Sequence, residues 1–246
     1  MVRKPTDYCI RSYRRDTIKH NLKTFNVTVE ESDLFISADS DLSMLARCSV
    51  HQVRSHLEAY IIIHREFVTS MTPLPYDEWA PEIVREMIKA STKAGVGPMA
   101  AVAGAVAEQV GHDLLSHSRN LIIENGGDIY MNSISDIHVG LFAGTSPLSD
   151  RLIIKIRKKD MPCGVCTSSG TVGHSFSLGS ADACCVKSRS TALADAAATA
   201  VGNLVKSKRD IHRALETGIE IEGVLGIVIV VGDRMGAIGD MELDQA

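Results

Sequence analysis

"STALADAAATAVGNLVKSK", residues 190–208, is the stretch that decides the fold. Ser190 or Thr191 is a suitable N-terminal cap, and the closing lysines suit the negative end of a helix dipole. The small apolar residues between them predict a strong helix. Asp195 is the exception, because a carboxylate buried among alanines is costly unless it finds a partner.

Outward from this helix, the hydrophobic pattern alternates between helical and strand spacing. Two short β-rich runs within residues 24–37 predict a hairpin, and the apolar run 223–232 predicts a last strand. Further strands are expected at 121–123, 129–131, 136–144, 151–157, from 163 onward and at 181–188, and further helices at 42–67, 81–92, 99–115 and 209–216. This order predicts an α+β fold of mostly antiparallel sheets packed with helices.

The length of the chain and the positions of its prolines predict the domain organisation. The chain has 246 residues and 45% hydrophobic content, enough to bury a sizeable core. Pro73, Pro75 and Pro81 interrupt the pattern. Residues 1–246 are therefore expected to form a single domain, with a connection between two lobes near 69–81.

Charge and hydropathy exclude some classes of partner and location. A formal net charge of −4 argues against nucleic acid as the main partner. No apolar run reaches the length of a membrane span, and the N-terminus lacks the apolar core of a signal peptide. We expect a cytoplasmic protein with reduced cysteines. The alanine-rich helices and the run 223–232 suit a core or a homodimer interface equally well.

The cysteines raise the question of thiol chemistry. Cys163 and Cys166 form a CxxC pair, and Cys184 and Cys185 are adjacent. A four-cysteine zinc site usually has two spaced pairs, so buried strands are the better interpretation. A thiol-based role would require a lowered pKa at Cys163 or Cys166.

Two familiar catalytic motifs are not supported. Residues 95–100, "GVGPMA", match GxGxxA, but the residues before them are helical, which excludes the dinucleotide-binding interpretation. Ser168 or Ser169 could join His174 and an aspartate in a triad, but the GxSxG motif is absent.

Asp195 and Thr199 lie four residues apart and therefore share one face of the predicted helix. A carboxylate and a hydroxyl there suit a hard cation such as Mg²⁺. The alternative is that Asp195 takes part in a capping or sheet-facing hydrogen bond, with Thr199 bonding its own helix backbone.

Two glycine-containing segments suit a phosphate-bearing ligand. The turn Gly126–Gly127 permits positive φ and presents Asp128 at a strand start. In residues 166–175, "CTSSGTVGHS", glycines permit close backbone approach, while Ser168, Ser169 and Thr171 offer hydroxyl donors. A plain turn is the alternative at both places.

Taken together, four segments resemble a family of stand-alone proteins within the ApbE superfamily of flavin-handling proteins. They are "GPMAAVAGAVAEQV" (97–110), "IIENGGDIY" (122–130), "CTSSGTVGHSFSLGSAD" (166–182) and "ALADAAATAVGNLV" (192–205). The resemblance is strong over about residues 95–206 and looser elsewhere.

The resemblance implies a two-lobed α+β fold that binds FAD or FMN as a small-molecule ligand, with Mg²⁺-dependent FMN transfer or FAD pyrophosphate cleavage. It places Asp195 and Thr199 as metal ligands and His174 as a catalytic residue. It assigns the nucleotide to Asn125, Gly126, Gly127, Asp128, Ser168, Ser169, Gly170 and Thr171.

Departures from the family pattern motivate a second hypothesis. Ala103 stands where the family has a lysine, and "HSFSL" (174–178) lacks the acidic residue of the family's "HIIDP" segment. The alternative is a non-catalytic binding or accessory protein that retains the fold, with a role in sulfur assimilation.

Overall fold

The computed structural model describes residues 22–170 and 179–245. The strands are β1 (Lys23–Val29), β2 (Ser32–Ala38), β3 (Leu121–Asn125), β4 (Asp128–Asn132), β5 (Ile137–Gly140), β6 (Leu152–Ile156), β7 (Cys163–Ser168), β8 (Ala183–Ser188), β9 (Val224–Val231), β10 (Arg234–Gly239) and β11 (Glu242–Gln245). The helices are α1 (Ser43–Ile63), α2 (Glu66–Thr69), α3 (Glu82–Ala94), α4 (Val102–Leu114), α5 (Thr191–Leu204) and α6 (Ile211–Ile219).

Two antiparallel sheets organise these elements. Within the described ranges the larger sheet has eight strands in the order β1-β2-β3-β4-β7-β8-β9-β10, and the smaller has three in the order β11-β6-β5. In the larger sheet, β4 pairs with β7 so that Asp128 lies opposite Cys166. The expected α+β fold with mostly antiparallel sheets is confirmed.

The larger sheet is the middle of three layers. On one face, Ile36 and Ile123 share a core with α1, α3 and α4. Further along the same sheet, Ile229 shares a core with α5 and α6. On the opposite face, Val165 and Val228 pack with the small sheet. No helix in the described part of the chain has the length and hydropathy needed to cross a bilayer.

The first residue of α5 sits where three elements approach closely. A Cβ added to Gly164 of β7 would lie 2.4 Å from the Thr191 Cα, and one added to Gly104 of α4 would lie 2.4 Å from the Thr191 carbonyl oxygen. The two glycines therefore allow α5 to pack directly against both neighbours. This explains why the helices that face each other are rich in small residues.

Several boundaries differ from the prediction. The helix expected over 42–67 ends at Ile63 and resumes as α2, because His64 leaves the helical conformation with φ −112° and ψ 71°. The helix expected over 190–208 ends at Leu204. Strands β10 and β11 were not expected, since the "RMGAIG" of β10 lacks an alternating apolar pattern and pairs with β9 through the backbone.

The elements and boundaries described above do not test the prediction that residues 1–246 form a single domain. The segment after α2 packs against the residues before α4, since a Cβ on Gly97 would lie 1.8 Å from the Ser70 carbonyl oxygen. A single domain with a lobe connection near 69–81 stays a prediction.

Replacing Gly104 with Ala should lower the free energy of unfolding by about 1–3 kcal/mol, because the new methyl group overpacks the α4–α5 contact. Alanine's higher helix propensity offsets only part of this loss. Urea unfolding measures the change. The control is Gly140→Ala in β5, where an added Cβ meets no atom within 4 Å. A Gly104→Ala protein as stable as the Gly140→Ala protein would contradict the packing described.

Candidate functional site

The N-termini of α4 and α5 are each capped by a carboxylate from the other helix. Asp195 Oδ2 accepts a hydrogen bond of 2.9 Å from the Gly104 N–H at the start of α4. In return, Glu108 Oε2 accepts hydrogen bonds of 3.0 Å from the Ala192 N–H and the Ser190 hydroxyl at the start of α5. The first amide groups of a helix have no partner within the helix, so each carboxylate supplies a missing acceptor.

A second aspartate lies near the first. Asp128 begins β4, where its carboxylate accepts a hydrogen bond from the Thr167 N–H and lies beside the Cys166 thiol. That thiol donates a hydrogen bond of 3.4 Å to the Thr191 carbonyl oxygen. Cys166 therefore links the neighbouring strands β4 and β7 to the start of α5.

Burial and a neighbouring carboxylate disfavour the ionised form of each aspartate, the neighbour being Asp128 for Asp195 and Glu124 for Asp128. Burial, followed by the negative charge of Asp128, raises the pKa of Asp195 well above its usual range. Burial is also the main cause that raises the pKa of Asp128, to about 7. Neither carboxylate forms an ion pair with a described residue. Asp128 is buried and Asp195 is half-buried, and the site they form is acidic without a described basic partner.

The turn between β3 and β4 borders this site. Asn125 donates a hydrogen bond of 3.1 Å from Nδ2 to the Ala103 carbonyl oxygen in the first turn of α4. Gly126 and Gly127 have φ of 69° and 112°, a region that favours glycine. The turn thus places Asn125 and Asp128 beside the residues that Asp195 caps.

The loop that follows β7 lies further along α5. The Ser168 hydroxyl is buried without a hydrogen-bond partner among the described residues, and a Cβ on Gly202 would lie 3.8 Å from it. Ser169 is half-buried. The Gly170 N–H donates to the Ala181 carbonyl oxygen over 2.9 Å. Two of the residues predicted for this loop, Thr171 and His174, lie outside the described residues.

Thr199 lies one helical turn beyond Asp195 on α5 and is half-buried. Among the described residues, no group of three or more His, Cys, Asp or Glu side chains is arranged to hold a metal ion. The structure brings Asn125, Asp128 and Asp195 together and places Thr199 on the next turn.

The four buried cysteines do not have the lowered pKa values of nucleophilic thiols. Burial raises the pKa of Cys163 to about 11 and that of Cys185 to about 12. It also raises the pKa values of Cys166 and Cys184. The lowered pKa that a thiol-based role requires at Cys163 or Cys166 is the opposite of what burial produces. The buried-strand interpretation of these four cysteines agrees with the structure.

Two residues of the site were not predicted from the sequence. Glu108 is the one acidic residue in the Ala- and Val-rich segment 100–110, which is the same signal that singled out Asp195. Cys166 carried no such signal, because its contact with Asp128 depends on the pairing of β4 with β7.

Comparison with known proteins identifies the family. The model of the family described as AbpE bacteria matches residues 15–246. The chain belongs to this family. A UPF0280 protein of Methanococcus aeolicus is 40% identical over 219 residues, covering 87% of this chain and 88% of its own length. One from Methanocaldococcus jannaschii is 44% identical over 191 residues, covering 76% and 78%.

Solved structures of ApbE proteins share the fold. The apo flavinyl transferase ApbE of Pseudomonas stutzeri has a TM-score of 0.57 at 13% identity, covering 89% of this chain and 94% of its own. The ApbE protein of Thermotoga maritima has a TM-score of 0.52 at 13% identity, covering 88% and 96%. The family and the ApbE-like fold expected from the four segments are thereby confirmed.

Alkylation tests the state of the buried cysteines. Replacing Cys9 and Cys48 with serine leaves Cys163, Cys166, Cys184 and Cys185 as the thiols of the protein. Because the thiolate is the reactive form, these four should react with iodoacetamide at pH 8 about a hundredfold more slowly in the folded protein than in the denatured protein. Mass spectrometry of peptides follows each site. Rapid labelling of Cys163 or Cys166 in the folded protein would contradict the assignment.

Asp128 should also make stability depend on pH. Its folded pKa of about 7 lies above its unfolded value of about 3.9, so the folded state holds the proton longer and stability falls as pH rises between the two values. The substitution Asp128→Asn removes the ionisable group and with it this pH-dependent loss of stability. In metal-free protein, the variant's stability relative to wild type should rise steadily from pH 4 to pH 7.

Asp233→Asn is the control for this measurement. The hydrogen bond from Lys208 lowers the pKa of the exposed Asp233, so its contribution changes only at pH values below about 4. A flat difference between Asp128→Asn and wild type across the window would refute the raised pKa.

Proposed function

We propose that this protein binds a flavin nucleotide, FAD or FMN, together with Mg²⁺ at Asp195 and Thr199. The observation that carries the proposal is the pair formed by the buried Asp128 and the half-buried Asp195, whose ionised forms no described basic side chain stabilises. The family and the ApbE-like fold support the flavin as the ligand.

The residues present fit Mg²⁺. This cation binds oxygen ligands, usually one or two carboxylates completed by water and substrate phosphate. Asp195 and Thr199 supply a carboxylate and a hydroxyl from one face of α5. A positive charge at Asp195 would also reduce its repulsion with Asp128.

The surrounding segments suit a nucleotide. Asn125, the two glycines of the β3–β4 turn and Asp128 lie beside α4, and we assign them to the flavin nucleotide together with the loop Ser168–Thr171. The buried Ser168 hydroxyl, which has no hydrogen-bond partner among the described residues, supplies a hydrogen-bonding group on that side. Bound Mg²⁺ would neutralise charge on the pyrophosphate, which favours FMN transfer or FAD cleavage. We assign the accompanying proton transfer to His174.

A second candidate is a binding or accessory protein without turnover, for example in sulfur assimilation. Ala103 favours it, because its side chain has no charge where the family resemblance places a lysine. This second candidate would bind the same flavin nucleotide as the first but would catalyse neither FMN transfer nor FAD cleavage. Incubating the protein with FAD and Mg²⁺ and assaying for FMN and AMP separates the two candidates.

Thermal unfolding with FAD, FMN and ADP, each with and without Mg²⁺, tests the proposal. FAD at ~100 times its Kd should stabilise wild type by about 2.7 kcal/mol, and only when Mg²⁺ is present. Thr199→Val removes the hydroxyl ligand while preserving side-chain volume. We expect the variant to need at least about tenfold more Mg²⁺ for the same shift, a loss of about 1.4 kcal/mol.

Thr92→Val is the matched control, since Thr92 is an exposed threonine on α3. It should show the Mg²⁺ requirement of wild type. No shift of the wild-type melting temperature with any flavin would overturn the proposal, as would an equal shift with and without Mg²⁺.

A further inference from the structure

The contact between α4 and α5 runs antiparallel. Gly104 lies against the Thr191 carbonyl oxygen and the Asp195 Cβ, while Glu108, one turn later, reaches back to Ser190 and Ala192. The two capping carboxylates therefore act at opposite ends of one short contact.

Sideways movement of α5 is limited by packing. The start of α5 lies between Gly104 of α4 and Gly164 of β7, with no room for a methyl group on either side. Glycines have no side chains that interdigitate with those of α5, so these two contacts do not oppose movement of α5 along its own axis. The hydrogen bonds at the two capped N-termini are directional and oppose this movement, alongside the bond from the Cys166 thiol to the Thr191 carbonyl oxygen.

Glu108 is well placed to fix the axial position of α5. A single oxygen, Oε2, accepts both hydrogen bonds from α5, each 3.0 Å long. Its carboxylate also faces the positive end of the α5 dipole. Burial raises the pKa of Glu108, and the Ala192 amide and the Ser190 hydroxyl oppose that rise. The N-terminus of α5 is thus held at a fixed point on α4.

We propose that Glu108 is a positioning residue for the candidate site: it sets the axial position of α5 and so places Asp195 and Thr199. This inference rests on the proposed function for its consequence in ligand binding. The effect of Glu108 on the contact between Asp195 and α4 does not depend on whether the protein binds a flavin.

The Gly104 amide reports that contact directly. It belongs to the first turn of α4, and its hydrogen bond goes to Asp195 Oδ2. A shift of α5 breaks this bond and exposes the amide to exchange. Hydrogen exchange at Gly104 therefore measures the position of Asp195 in protein without ligand.

The experiment compares three variants with wild type. Glu108→Ala removes the acceptor, Glu108→Gln keeps a carbonyl oxygen that can accept both hydrogen bonds, and Asp210→Ala is the control. Asp210 caps the residues before α6 through bonds to Ser207, so its loss also weakens a helix N-terminus. Both alanine variants should melt about 2–4 °C below wild type, so the two variants match in the loss of stability that a merely structural role would produce.

The expected result is selective. Gly104 should exchange about tenfold faster in Glu108→Ala, keep nearly wild-type protection in Glu108→Gln and be unchanged in Asp210→Ala. Flavin fluorescence, titrated with Mg²⁺ at fixed FAD, should show a raised Mg²⁺ requirement in Glu108→Ala alone.

Two results would overturn the inference. They are unchanged Gly104 protection in Glu108→Ala, or an equal loss of protection in Asp210→Ala. Absence of any Mg²⁺-dependent FAD signal in wild type would instead refute the proposed function. The exchange measurement would still decide whether Glu108 positions α5.

Discussion

The reciprocal capping of α4 and α5 is the interaction on which the candidate site depends. The first amide groups of each helix have no acceptor within the helix. Asp195 supplies the acceptor for α4 and Glu108 supplies it for α5. The contact is possible because Gly104 and Gly164 leave room for the backbone of Thr191. Fold and site are therefore built from the same residues.

This arrangement exposes the Asp195 carboxylate to two opposing effects. As a cap it is held by the amide groups of Ala103 and Gly104, which favour its ionised form. As a neighbour of Asp128 in a buried region it is strongly disfavoured in that form. A bound cation would relieve the second effect without breaking the first. Such a site would be least stable when empty, which is the usual relation between stability and a functional site.

The sequence predicted the elements better than their contacts. The Ala-rich pattern around Asp195 and the paired glycines before Asp128 predicted a helix and a turn, and both are present. Asp195 was open to a metal-binding and a capping interpretation; the capping bond exists, yet its partner is the distant Gly104. The partnership of Glu108 with Ala192 spans 84 residues of chain and has no local signature. Strand β10 was missed because backbone pairing, which no side-chain pattern records, holds it in the sheet.

The most direct test of the account is to locate the cation. Crystals grown with FAD and Mn²⁺ in place of Mg²⁺ would reveal the metal by its anomalous scattering. The account predicts one strong peak at coordination distance from the Asp195 carboxylate and the Thr199 hydroxyl, next to the pyrophosphate of FAD. Bound FAD without a peak there, or a peak held by other side chains, would contradict it.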